Sequence, residues 1–102
     1  EKYTEAAESY RKALAADPGA IDAYLRLGAL LLKTGNFAPT KSLVAEGMKR
    51  RPDDVGLQYL YAEACYGLGE RDEAATWLRK VVAVKPGLGR ARALLDEIER
   101  AR

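Results

Sequence analysis

Histidine is absent from this chain of 102 residues, and cysteine occurs once, at Cys65. A Cys/His zinc site, a paired-cysteine redox motif and an intramolecular disulfide are therefore excluded, and no imidazole is present to activate the thiol. Long apolar runs are missing too. Leu30-Leu31-Leu32 ends at Lys33, far short of the roughly 18 to 20 residues that cross a bilayer, so membrane insertion is not expected. Charge of one sign is scarce: 17 Lys and Arg against 15 Asp and Glu leave a formal +2, too little to mark a nucleic-acid partner. The redox compartment stays open, with a soluble domain of the cytoplasm or periplasm as the expectation. The chain opens at Glu1 without Met and reads as helix almost at once, which is the pattern of a segment of a longer protein.

What remains is ordinary globular material. Hydrophobic residues make up 48% and charged residues 31%, enough apolar surface to bury one core in a chain of this length. Its order is far from ordinary. Pro18, Pro52 and Pro86 recur at one constant interval, and Gly35 and Gly69 keep the same interval. Three further columns share that register: the small residues Ala6, Thr40 and Ala74; the large apolar Tyr10, Val44 and Leu78; and the apolar Leu14, Met48 and Val82. One unit has been copied along the chain.

Within each copy the apolar positions recur every three or four residues, as in Tyr24, Leu27, Gly28 and Leu31, and again in Tyr61, Ala62, Cys65 and Leu68, which is helical periodicity. Each copy breaks at a glycine and stops at a proline, so the unit is a helical hairpin. The pattern predicts six antiparallel helices near 2–16, 20–34, 38–50, 54–67, 71–84 and 88–101, with Pro39 tolerated in a first turn and Asp53 and Asp54 suited to the helix start that follows them. No strand patterning is visible.

A helical hairpin recurring every ~34 residues resembles the tetratricopeptide-repeat (TPR) family, whose pattern is W-x2-L-G-x2-Y, then A-x3-F, then P. Tyr24-x2-Leu27-Gly28-x2-Leu31, followed by Thr40-x3-Val44 and Pro52, carries the likeness best; the next copy is looser, with Gln58 in the aromatic slot, but ends regularly in Ala74-x3-Leu78 and Pro86. The strictness of the interval argues against the longer Sel1-like units. The resemblance implies an all-α, right-handed superhelical solenoid forming one domain: 1–18 as the second helix of a truncated repeat, 21–54 and 55–88 as full repeats, and 89–102 as a capping helix. The abundance of Ala, Leu, Gly and Arg adds a compositional hint of a bacterial source.

In that family the first helix of each hairpin lines a concave groove that binds a peptide or protein. Removing the core stripe leaves Asp22, Leu25, Arg26, Ala29, Leu32 and Lys33 on one such helix and Gly56, Tyr59, Leu60, Glu63 and Tyr66 on the next. Tyr59, Glu63 and Tyr66 share a face at spacings of four and three, although both tyrosines would equally serve as packing between hairpins. Arg26 and Lys33 suit acidic groups on a partner or stand as solvated charges. The Lys and Asn set with which some relatives clamp a chaperone C-terminus is not matched. The basic runs Lys49-Arg50-Arg51 and Arg79-Lys80 with Lys85 read first as cations at helix ends, and Trp77 reads as half-buried against the neighbouring hairpin. No nucleophile with a base, phosphate-cradling loop or converging carboxylates appear, so neither catalysis, cofactor nor metal is expected.

The expected role is thus an interaction scaffold. The alternatives are a regulatory or substrate-guiding segment of a larger enzyme, such as a glycosyltransferase, and a purely structural module that self-associates. The stripe Tyr3, Ala6, Tyr10, Ala13 and Leu14 on the unpaired first segment is the expected edge for self-association.

Overall fold

A computed structural model describes residues 2–101. Glu1 and Arg102, the outer ends of two of the expected units, lie outside the described residues. The regular structure among the described residues is helical throughout: α1 Lys2–Ala16, α2 Ile21–Lys33, α3 Phe37–Arg50, α4 Val55–Gly67, α5 Arg71–Val84 and α6 Gly89–Arg100. Every helix falls within a residue or so of its predicted bounds.

The breaks follow the chemistry read from the sequence. Gly35 and Gly69 adopt φ of 78° and 81°, a left-handed conformation that costs other residues steric strain. Each closes its helix by the same pair of bonds. Gly35 N donates to Leu32 O at 3.0 Å and Asn36 N to Leu31 O at 2.8 Å, while Gly69 N donates to Tyr66 O at 3.0 Å and Glu70 N to Cys65 O at 2.9 Å. Both are Schellman closures, which satisfy carbonyls left over at a helix end. At the start of α4 the Asp54 carboxylate accepts from Leu57 N at 2.9 Å, the N-cap that its position predicts.

Packing runs down the chain. Each helix packs on its neighbours in sequence, and α2 also packs on α4, the nearest-neighbour pattern of a solenoid. Val44, Leu57, Leu78, Val81 and Ile98 are fully buried between successive hairpins. Gly28 makes the crossing of α2, α3 and α4 tight: a Cβ there would stand 3.1 Å from Val44 Cγ2 and 3.2 Å from Leu60 Cδ1. The α1 stripe is partly covered. Ala7 is buried against Leu27 and Leu31, with Tyr10 and Leu14 packed beside them, while Tyr3 stays 47% exposed.

The slot where the repeat looked loosest turns out to be filled in kind. Tyr24 Oη donates to the Pro18 carbonyl at 2.8 Å, and Gln58 Nε2, one repeat later, donates to the Pro52 carbonyl at 2.9 Å. Two unlike side chains deliver a donor to the same backbone acceptor of the preceding turn.

Candidate functional site

Helices α2, α4 and α6 lie side by side, with α1 closing one end, and a groove of about 680 Å³ runs across them. Seven of the eleven residues expected there line it: Arg26, Ala29, Leu32 and Lys33 from α2, and Tyr59, Leu60 and Glu63 from α4. Asp22, Leu25, Gly56 and Tyr66 do not.

Each of those four is engaged elsewhere. Asp22 binds Arg26 Nε at 2.7 Å one turn along α2. Leu25 packs across the seam against Gly56, where an added Cβ would meet its Cδ2 at 2.9 Å. The Tyr66 hydroxyl donates to Glu97 on α6, and the Arg71 guanidinium lies 5.4 Å from the ring centroid. Burial also divides the pair of tyrosines expected to act together. Tyr59 is 6% exposed and belongs to the core between α4, α5 and α6 as well as to the groove wall.

Arg90, Tyr3 and Tyr10 are liners that the sequence reading did not place in the groove. For Arg90 a signal was present, because it stands one repeat beyond Gly56 and two beyond Asp22, in a column already taken as groove-facing. Its guanidinium lies 5.2 Å from the centroid of the Tyr59 ring, a cation–π distance. The two α1 tyrosines were invisible to a rule that credits the groove to first helices only.

Electrostatics distinguish the groove from a bland surface. Arg26 is held protonated by the Asp22 carboxylate, with Tyr10 adding to the effect. Lys33 has no ion-pair partner among the described residues. The Glu63 carboxyl is pushed up by burial, against the pull of Arg90 and Tyr59, and the Tyr59 hydroxyl is pushed up by burial and then by Glu63. A half-buried carboxyl beside Arg90 and Tyr59 thus shares the groove with two further cations, Arg26 and Lys33, a mixture of polar handles and apolar area that suits a peptide chain.

A second cluster lies away from the groove. Cys65 Sγ and carboxylate oxygens of Glu70 and Glu73 fall within 4.8 Å of one another. The cation they would need is already present: Lys41 Nζ bonds Glu70 Oε1 at 2.7 Å and Glu73 Oε1 at 3.1 Å. Burial pushes the Cys65 thiol up to about 12, so it is protonated at neutral pH and a poor metal ligand. Among the described residues no helix is long and apolar enough to cross a membrane.

Comparison with known proteins agrees with this architecture. The first TPR domain of Spaghetti (RPAP3), solved with an HSP90 peptide SRMEEVD, superposes with a TM-score of 0.93 at 22% identity, covering 98% of this chain and 79% of that one. The second TPR domain of human RPAP3, in complex with an HSP70 peptide SGPTIEEVD, gives 0.88 at 21% identity over 96% and 82%. The Yersinia enterocolitica type III secretion chaperone SycD, in complex with a peptide of the translocator YopD, gives 0.88 at 19% identity over 98% and 82%. At these identities the likeness speaks for the fold, an all-α right-handed solenoid of antiparallel helices. No curated relative matches the sequence. A tetratricopeptide-repeat profile matches residues 1–54 and again residues 40–98, and this chain belongs to the tetratricopeptide-repeat family.

Proposed function

We propose that the chain is a protein-interaction scaffold whose concave groove receives a peptide or protein partner, with 21–54 and 55–88 as full repeats, 1–18 as the second helix of a truncated one and 89–102 as the cap. The observation that carries this reading is the groove itself. Arg26, Lys33 and Arg90 present cations beside the Tyr59 and Tyr10 rings over about 680 Å³. Peptide binding by similar folds, in the HSP90, HSP70 and YopD peptide complexes, supports it. Helices α2, α4 and α6 carry no Asn, so the Lys/Asn clamp is not the mode of recognition we infer. The role we infer is binding rather than catalysis: the thiol of Cys65 is buried and protonated.

Affinity capture from the source-cell lysate tests the reading. The bait is compared with Ala29→Arg, which fills the groove from an exposed helical position, and with Lys33→Glu/Arg90→Glu. Loss of one captured protein with both variants supports the groove; an unchanged set of proteins contradicts it. Self-association is the second reading, favoured by the recess around Tyr3, Thr4, Ala7 and Arg11 at the α1 edge. Light scattering of wild type and Tyr3→Glu separates the two readings.

A further inference from the structure

Two residues along α4 from Tyr59 stands Tyr61, which the helical repeat turns to the opposite face. There it meets Trp77 of α5 edge to face, with ring centroids 5.5 Å apart. Ala45 and Met48 of α3 and Pro52 of the following turn complete a recess of about 300 Å³ behind the groove, with Lys49 at its rim. The floor is apolar and its rings are tethered. Tyr61 Oη lies 3.5 Å from Glu73 Oε2, and Lys80 Nζ stands 4.3 Å from the Trp77 centroid.

Trp77 packs one side against the core and leaves the other open, whereas Ala74, Leu78 and Val81 of the same helix are buried completely. An aromatic floor left half open resembles the central pocket of an interface more than a packed core. The rim is basic. Lys49 and Lys80 flank the recess; of the two carboxylates beside it, Glu73 is held by Lys41 at 3.1 Å, and Glu46 pairs with Lys49 at 2.7 Å where both side chains are more than 60% exposed, an ion pair readily exchanged for another. A cationic ligand is disfavoured, because Lys80 and Lys41 already stand over the Trp77 and Tyr61 rings.

We propose that this convex recess is a second docking site, taking one large apolar side chain from an acidic segment of a partner protein whose carboxylates pair with Lys49 and Lys80. It is independent of the concave groove, so two partners, or two segments of one partner, can be held at once.

The test uses random twelve-residue peptides displayed on phage, selected on the intact chain and counter-selected on Trp77→Ala. The expected consensus is an apolar residue flanked by Asp or Glu. A synthetic peptide of that consensus then shifts the emission of Trp77, the single tryptophan. Its affinity falls about tenfold or more in Lys49→Glu/Lys80→Glu, where attraction becomes repulsion, and is unchanged in Ala29→Arg. Circular dichroism of the two exposed lysine variants guards against misfolding. Failure to enrich any peptide over the Trp77→Ala control, a basic or uncharged consensus, or binding abolished by Ala29→Arg would each overturn the proposal.

Discussion

Exchanging the fillings of the two repeats offers a demanding test of their equivalence. In the first, the Tyr24 ring lies over Gly47, where an added Cβ would stand 3.0 Å from Cγ and 3.2 Å from Cδ1 of that ring. One repeat on, the corresponding residues are Gln58 and the fully buried Val81. A large ring over no side chain has been traded for a smaller amide with a branched one, while the donor to the proline carbonyl is kept. Gln58→Tyr alone should overpack against Val81 and cost about 1–3 kcal/mol. Val81→Gly alone should cost about 3–4 kcal/mol, from a lost buried side chain and a glycine in a helix interior. Together they recreate the first repeat's arrangement and remove the Gln58 Oε1, which is buried without a protein partner. The double variant should therefore be more stable than the sum of the singles by about 2 kcal/mol. Urea denaturation followed by circular dichroism measures this, provided the slopes agree. Additivity within about 0.5 kcal/mol would refute the exchange of volume.

Other expectations are simpler. Gly35→Ala and Gly69→Ala should each lower stability by about 1 kcal/mol, because their φ values are positive, whereas Gly87→Ala, with open space and no such φ, should be nearly neutral. Cys65, 0% exposed and with its thiol raised to about 12, should resist iodoacetamide at pH 8 in the folded chain and react once urea unfolds it. Glu63 sets a pH dependence of defined sign. Its folded carboxyl titrates above the ordinary 4.5, so between that value and the folded one the native state binds more protons and stability falls as pH rises. Glu63→Gln should flatten that slope in thermal melts, and an identical slope in the variant would contradict the assignment.

Much of the fold was legible because the same constraints act in every copy. A glycine forced to positive φ and a proline after each hairpin mark boundaries that packing does not move, and the constant interval between copies ties distant columns together. The groove was less legible. Distinguishing Arg26, Ala29 and Lys33 as groove-facing needed only helical phase, but Tyr66 and Leu25 occupy the same phase and are drawn away by Glu97 and by the bare backbone at Gly56. Those partners sit on other helices, at distances that a periodic pattern within one helix does not contain. The Gln58 slot shows the converse, since a mismatch in residue type conceals a match in hydrogen bonding.

Photocrosslinking tests the central claim most directly. Benzoylphenylalanine is placed either at Ala29, exposed within the groove, or at Lys12, exposed on the outer side of α1, and irradiated in the source cells. A discrete adduct from Ala29 that is missing from Lys12 and lost when Lys33→Glu/Arg90→Glu is added is the result predicted for a groove-bound partner. Equal adducts from both positions, or none from Ala29, would contradict it.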